Sequence, residues 1–193
     1  MANVYGAASP TNSVTGGSLG GLLNFRSQAL APAVTGLNEL AVITATEINA
    51  LQTTGVDANG ERGTDLFDAT VTATGAAGFT LLQSDPLKVA AAGLLKITGG
   101  ALNSGGATLN YVDIAAGVAT PAFTINFAAE TGYEINGAAI AVDADGGFTF
   151  EGINYTFTGT PADGDSFTVG LNASALGDNR NMLLMARLQD KAT

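Results

Sequence analysis

The chain has 193 residues, a net charge of −10, 46% hydrophobic side chains, and no histidine, cysteine or tryptophan. This length and apolar fraction suffice for a packed core, and the missing residues exclude disulfide frameworks, cysteine zinc sites and mechanisms that need a histidine base. No Lys or Arg lies between Lys96 and Arg180, where nine acidic residues fall, so neither nucleic acid nor an anionic membrane is an expected partner.

The N-terminal region predicts a polar lead-in followed by a first helix. Residues 1–17 are rich in Gly, Ser and Thr, which indicates a loop or a short terminal strand. They have no basic segment followed by an apolar one, so a secretory signal is not expected. The helix is predicted over residues 19–30 with Ser18 as its N-cap, and Gly20 and Gly21 inside it indicate close approach of another backbone. No apolar run is expected to approach the ~20 residues of a membrane-spanning helix.

A second helix is predicted from Pro32, which is tolerated in a first turn, to about Thr54, with Gly55 as the C-cap residue. Its apolar and small side chains recur at alternating spacings typical of a heptad seam. The members of this helix-packing seam are Val34, Leu37, Ala41, Thr44, Ile48 and Leu51. An ordinary amphipathic core helix and a bundle helix that needs partners both fit the pattern.

Residues 55–67 predict a turn and a loop whose acidic residues partly follow a calcium-binding loop. The oxygen-bearing positions are Asp57, Asn59, Glu61, Asp65 and Asp68. The glycine that such a loop needs at its sixth position is replaced by Arg62, and this cation opposes metal binding. A solvated acidic turn is therefore favoured, and neither a metal nor a cofactor is expected.

Between residues 69 and 171 the hydrophobic period changes to two, which predicts half-buried antiparallel strands. Asp145-Gly146-Gly147 and Glu151-Gly152 indicate turns of consecutive hairpins, and residues 85–92 are compatible with one helical turn. The alternating residues are Phe123, Ile125 and Phe127; Phe148 and Phe150; Ile153, Tyr155 and Phe157; and Phe167, Val169 and Leu171.

The pattern becomes helical again after Leu171, with Asp178 or Asn179 as the cap of a final helix. This order predicts an α+β fold, in which an antiparallel β-rich domain is inserted between helices of an α-helical bundle portion. The predicted division is a loop and helical segment over 1–67, the β-rich domain over 68–172, and a helix over 173–193 that completes the helical part.

Several blocks, in this order along the chain, resemble the flagellar hook-associated protein 1 family. The first is Gly16-Gly-Ser-Leu-Gly-Gly-Leu-Leu-Asn-Phe-Arg26, similar to that family's Gly-Gly-x-Leu-Gly-Gly-Leu-x-x-Phe-Arg segment. Others are Gly55-Val-Asp-x-Asn-Gly60, Pro161-Ala-x-Gly-Asp-x-Phe167 and Gly177-Asp-Asn-Arg-Asn181. The resemblance gives a structural role to Gly17, Gly20, Gly21, Phe25, Arg26, Gly55, Asp57, Gly60, Gly164, Asp165, Phe167, Gly177, Asp178, Asn179, Arg180 and Asn181.

The resemblance implies a non-catalytic, self-assembling structural subunit of the extracellular bacterial flagellum, needed for motility and secreted by type III flagellar export. It would join hook to filament, and its implied partners are further copies of itself in a ring, the hook protein and the second junction protein. Family members are much longer, so the chain is expected to be a central fragment without both terminal segments, and to be monomeric or weakly associating alone.

Three alternatives remain open at this point. The first is an extracellular β-rich binding or adhesion module that recognises a host ligand or glycan. The second is another axial protein, either the hook protein or the second junction protein. The third is a carboxylate-based hydrolase, since paired acidic residues are the one common acid–base set that the composition permits.

Overall fold

The computed structural model describes residues 16–111, 114–115 and 117–190. The predicted loop or strand at the N-terminus falls almost wholly outside them. Contacts divide the chain into two compact units, the first comprising Met1–Ala45 with Ala69–Thr80 and the second Thr46–Asp68 with Leu81–Thr193. The predicted domain boundaries at 67 and 172 stay predictions.

One continuous helix replaces the two helices that were predicted on either side of Pro32. It consists of α1 (Gly17–Phe25), a π-helical turn (Arg26–Leu30) and α2 (Ala31–Gln52). Pro32 has no N–H, and its ring would clash with the carbonyl of residue 28 in a regular α-helix. The wider π-turn directly before it accommodates the ring, so the helix continues.

The N-terminal cap is Gly16 rather than Ser18, which lies inside α1. The carbonyl of Gly16 accepts a hydrogen bond from the N–H of Gly20 at 3.2 Å, so the helix begins before the predicted cap. Gly17 takes a φ of +68° at this start, a value that L side chains rarely adopt. The serine prediction was wrong because a backbone turn of glycines starts the helix without a side-chain acceptor.

The end of α2 also differs from the prediction of a Gly55 cap. The helix ends at Gln52, and the hydroxyls of Thr53 and Thr54 each donate to a carbonyl of the last turn at 2.8 Å. Gly55 instead begins β1 (Gly55–Val56), which pairs antiparallel with β2 (Ala92–Gly93). A Cβ on Gly55 would lie 2.7 Å from the Ala90 carbonyl oxygen. The glycine is therefore required by close backbone approach, not by helix termination.

The helical run Gly17–Gln52 has the length and composition that could cross a bilayer, with a mean hydropathy of 1.2 in a window that is 11% buried. The expectation that no apolar run approaches this length was therefore wrong. Apolar helices of soluble proteins share these properties. Arg26, Glu39 and Glu47 lie within the run, and ionised side chains are costly inside hydrocarbon.

Short helical turns, not strands, follow the loop after β1. In the first unit, α3 (Val71–Thr74) continues into a 3₁₀ turn over Gly75–Gly78. The hydroxyls of Thr72 and Thr74 bond back to local carbonyls at 2.8 Å, which favours a turn despite the alternating pattern. In the second unit, a 3₁₀ turn at Pro86–Lys88 confirms the helical turn predicted there.

Two antiparallel sheets make up most of the second unit. Their strands are β3 (Leu95–Gly99), β4 (Thr108–Tyr111), β5 (Phe123–Ala128), β6 (Gly132–Ile135), β7 (Ala138–Ala139), β8 (Gly147–Phe150), β9 (Ile153–Thr158) and β10 (Ser166–Leu171). The five-stranded sheet has the order β3-β10-β5-β6-β7, and the three-stranded sheet has the order β4-β9-β8. A short helix, α4 (Arg180–Ala186), and a 3₁₀ turn (Arg187–Asp190) follow. The α+β class is confirmed.

The core of the second unit lies between the inner faces of these sheets. Ile125, Ile153 and Tyr155 are at most 1% exposed, and the rings of Phe148 and Tyr155 stack with centroids 5.1 Å apart. The predicted alternation places inward residues correctly in β5, β8, β9 and β10, although Leu171 is exposed. Both sheets contribute to one hydrophobic cluster, so the inner face of each sheet is buried against the other.

Only one of the two predicted turns closes a hairpin. Glu151 and Gly152, with φ of 48° and 77°, connect the paired strands β8 and β9. Gly146 also has a positive φ, of 84°, but its turn lies where the chain passes from β7 in the larger sheet to β8 in the smaller one. The strands β6 and β7, which precede both turns, have four and two residues, too few for a clear alternating pattern, so the sequence analysis did not reveal them.

Candidate functional site

The first candidate site is an apolar strip along the long helix, here called the exposed helix face. Its side chains belong to the first unit and are between 40% and 66% exposed. Its members are Leu19, Leu22, Phe25, Leu30, Val34, Leu37, Leu40 and Ile43. Large apolar residues at helical spacing normally cover a partner surface.

The predicted seam overlaps this face only at its N-terminal end. Val34 and Leu37 are about half exposed, whereas Ala41 is buried. Thr44, Ile48 and Leu51 have intermediate exposure. The seam as a packing surface stays a prediction, since two of its six residues, Val34 and Leu37, are exposed in the described structure.

The two glycines that the sequence analysis placed inside the first helix lie in different surroundings. Gly20 is buried, but a Cβ on Gly21 would meet no atom within 4 Å. Phe25 and Arg26 of the same block are exposed. This block therefore presents small and apolar groups outward.

The second candidate site, here called the clasp, is built on the block Gly177–Asn181 in the second unit. Gly177 has a φ of +75° and turns the chain so that Asp178 faces inward. The Asp178 Oδ2 accepts from Asn172 Nδ2 at 2.8 Å and from the Gly93 N–H at 3.3 Å. Its Oδ1 accepts from the N–H of Arg180 at 3.0 Å. One carboxylate thus connects β2, the chain after β10, and the start of α4.

Arg180 holds this carboxylate and reaches beyond it. Its Nη2 lies 2.7 Å from Asp178 Oδ2 and also donates to the Leu95 carbonyl at 2.8 Å. The guanidinium carbon sits 5.3 Å from the Tyr111 ring centroid, a cation–π distance. Hydrogen bonds from Arg180 hold the pKa of Asp178 below its ordinary value, although burial opposes this. The same pairing raises the pKa of Arg180.

Asn181 forms the innermost part of the clasp and is 1% exposed. Its Nδ2 donates to the carbonyls of Leu51 at 2.9 Å and Ala90 at 2.7 Å. The absence of a side chain on Gly55 leaves room for this amide. Asn179, by contrast, is exposed and makes no capping hydrogen bond through its side chain. Of the two predicted caps, Asp178 therefore supplies the acceptor.

The loop after β1 is organised by Asp57, which is 2% exposed. Its Oδ1 accepts from the N–H groups of Asn59 at 2.8 Å and Glu61 at 3.0 Å, and Lys88 Nζ lies 3.3 Å from Oδ2. Burial raises the pKa of Asp57, but these hydrogen bonds outweigh it and the pKa is lowered. Gly60, with a φ of +81°, lies directly against the backbone of Ala173.

These contacts explain the acidic pattern without a metal. The carboxylate of Asp57 already has N–H donors and an ammonium group as partners. Within residues 16–111, 114–115 and 117–190, no group of three or more acidic side chains is arranged to hold an ion. The loop therefore functions as a hydrogen-bonded turn.

Asp165 plays a similar role at the other end of the β region, where it is 1% exposed. It accepts from the N–H groups of Ala162 at 2.9 Å and Ser104 at 2.8 Å. The bond from Ala162 contributes most to lowering the pKa of Asp165. Gly164, with a φ of +86°, makes the turn, and Phe167 enters the core three residues later.

Three polar residues of this framework were missed by sequence reasoning: Gln52 and Asn172, which are buried, and Asn49, which is half-buried. Gln52 is 0% exposed and bonds both the Lys88 carbonyl and the Ala90 N–H. Asn49 and Asn172 likewise bridge distant backbone groups. A polar side chain at a helix end or after a strand has no local pattern that marks it as buried, so spacing could not identify these residues.

Comparison with known proteins finds similarity to flagellar proteins. Residues 3–67 match the family model described as the flagellar hook-associated protein FlgK helical domain. Flagellar hook-associated protein 1 of Escherichia coli (strain K12) is 34% identical over 166 residues, which are 83% of this chain and 26% of that protein. Over most of its length, the chain is similar to hook-associated protein 1.

A second hook-associated protein 1 and one solved structure are also similar to this chain. The protein from Salmonella typhimurium is 47% identical over 58 residues, covering 30% of this chain and 10% of the relative. The chain thus spans 26% or less of the length of these two relatives. The structure of the flagellar hook junction protein FlgK from Burkholderia pseudomallei has the same fold, with a TM-score of 0.74 and a sequence identity of 23%. The match covers 93% of this chain and 55% of the Burkholderia chain.

The hook-associated protein 1 blocks thus occupy two different settings in this chain. The blocks that begin at Gly55 and Gly177 meet in the second unit, where Gly55 packs against Asn181. The block that contains Asp165 lies elsewhere in the same unit, where Asp165 accepts from the Ser104 N–H. The first block belongs to the long helix of the first unit. Buried, hydrogen-bonded blocks maintain a fold, whereas an exposed apolar block is typical of a contact surface.

Proposed function

We propose that this chain is part of a non-catalytic structural subunit that joins hook to filament in the extracellular bacterial flagellum. The observation that carries the proposal is the 34% identity to a flagellar hook-associated protein over 83% of the chain. The shared fold with a hook junction protein supports it further. The relatives named above all favour this over the binding-module alternative.

The exposed helix face supports a role in assembly. Leu22 and Phe25 of the long helix are more than 60% exposed, so packing within its own unit adds little to the stability of this part of the helix. Burying such side chains against partner helices stabilises each by about 1.5–3 kcal/mol. We propose that the face, together with the seam from Val34 to Leu51, packs against helices of the assembled junction.

The proposed partners are further copies of the chain in a ring, the hook protein and the second junction protein. In this proposal the role is mechanical, because complementary surfaces would match two tubes of different flexibility. The clasp supports such a role, since Asp178, Arg180 and Asn181 connect chain segments up to 130 residues apart. We expect the isolated chain to be monomeric or weakly associating.

The experiment replaces the aligned 166-residue region of the Escherichia coli protein with this chain and measures binding of the chimera to purified hooks. We expect the chimera to bind hooks and to restore swimming in a strain that lacks the native protein. A chimera with Leu22→Asp and Phe25→Asp should fold yet bind weakly, because two charges then interrupt the exposed helix face.

A matched control changes Thr149 and Thr168, two exposed strand residues, to Asp. Circular dichroism and export into the medium establish that each chimera folds and is secreted. Failure of the folded, secreted parent chimera to bind hooks would contradict the proposal. Equal binding by the helix-face and control chimeras would show that this face is not the contact surface.

A further inference from the structure

A small cavity of about 270 Å³ lies beside the clasp in the second unit. Its lining residues include Tyr111, Leu183 and Leu184 of α4, Arg180 and Arg187. The volume is below the about 300–1,000 Å³ of typical small-molecule pockets. Its size suits a protruding side chain of a protein partner.

The cavity carries an unusual concentration of positive charge for this molecule. The chain has seven Lys and Arg residues against 17 Asp and Glu, and two of the seven line this one cavity. Arg180 is held in place by Asp178. Arg187 makes no ion pair with any residue that the structure describes. An acidic group is therefore the expected occupant.

The same chain presents a matching acidic corner at the β5–β6 turn. Glu130 is exposed in this turn. The carboxylate of Asp163 lies beside it, because its Oδ1 accepts the N–H of Ala129 at 2.9 Å. Neither carboxylate forms an ion pair with a described residue. Two adjacent carboxylates on a turn can complement the arginines of the cavity in sign, above all Arg187, since Arg180 already pairs with Asp178.

We infer that the β5–β6 turn of a second copy of this chain docks over the cavity, so that Glu130 and Asp163 face Arg180 and Arg187 and one side chain of the turn enters the cavity. The two surfaces lie on different parts of the chain, which makes the contact heterologous. Such head-to-tail contacts generate closed rings when the rotation closes. The inference thus deepens the proposed function and rests on it for the ring, while the contact itself is testable without hooks.

The test uses the absence of cysteine from the chain. One variant carries Leu184→Cys at the cavity wall, and a second carries Thr131→Cys at the turn. The control carries Leu102→Cys, a position that is 94% exposed and distant in sequence from both surfaces. We expect the first two variants, mixed under mild oxidation, to form disulfide dimers about tenfold faster than the first variant mixed with the control.

Charge exchange then tests the pairing. Adding Arg187→Glu to the cavity variant should remove the excess rate, and adding Glu130→Lys to the turn variant should restore it. Should Leu184→Cys fail to fold, Leu183→Cys offers a second cavity-wall position. Equal rates for turn and control variants, or no effect of Arg187→Glu, would overturn the inference. Either result would leave hook binding by the chimera, and hence the proposed function, to stand on its own.

Discussion

Truncating the buried amide of the clasp is the most informative single change to this molecule. In Asn181→Ala, the Ala90 carbonyl loses the donor at 2.7 Å, the one hydrogen bond to it found among the described residues. The Leu51 carbonyl keeps the N–H of Thr54 at 3.0 Å. The change therefore leaves one unpaired buried carbonyl rather than two.

The expected magnitude follows from that difference. An unpaired buried carbonyl costs about 1–3 kcal/mol, and the space left by the amide adds a smaller cavity contribution. We expect the free energy of unfolding to fall by about 2–3 kcal/mol. For a chain of this size, each kcal/mol lowers the melting temperature by about 2–4 °C, so the shift should be about 5–10 °C.

Thermal and urea unfolding followed by circular dichroism measure this loss. Asn179→Ala is the matched control, because Asn179 neighbours the clasp but is exposed and makes no capping bond. Its effect should stay within about 0.5 kcal/mol, as for most surface changes. If the two variants melt within about 1 °C of each other, the Asn181 amide does not hold these segments together.

Three further changes test other parts of the argument. Gly55→Ala should lower the free energy of unfolding by more than about 2 kcal/mol, because the added Cβ would overlap the Ala90 carbonyl. Gly21→Ala, in open space on a helix, should raise it by up to about 1 kcal/mol. Urea unfolding of the two variants measures both changes. Asp165→Asn should flatten the acid dependence of stability. The folded-state pKa of Asp165 lies below 3.8, so its carboxylate stabilises the fold above that pH, and this stabilisation is lost as the pH falls through the lowered pKa. Urea unfolding midpoints measured from about pH 5 to about pH 2 should therefore fall less in the variant than in the parent. Leu37→Asp should shift the melting temperature of this chain by less than about 2 °C, since Leu37 is 57% exposed. The same change should weaken hook binding by the chimera. A large shift of the melting temperature would instead place Leu37 in a core.

The strands and the helices were predictable to different degrees, for physical reasons. Alternation in β9 arises because successive side chains point to opposite faces, and Ile153, Tyr155 and Phe157 are all buried as that rule requires. Pro32 is a local break signal, but a single π-turn was enough to accommodate it. The short helix α3 formed because threonine hydroxyls bond nearby carbonyls, which period-two counting ignores.

By itself, the sequence determined the class of fold, the exclusion of histidine and cysteine chemistry, and the blocks that resemble hook-associated protein 1. Those properties depend on residue type and local spacing. The tertiary structure decided which polar residues are buried and what they hold, since Asn181 finds its acceptor at Leu51, 130 residues away. It also decided that part of the predicted seam is open, because exposure depends on what the rest of the chain covers. Local spacing determines which residues can share one face of a helix or strand, whereas contacts between distant parts of the chain determine whether that face is buried.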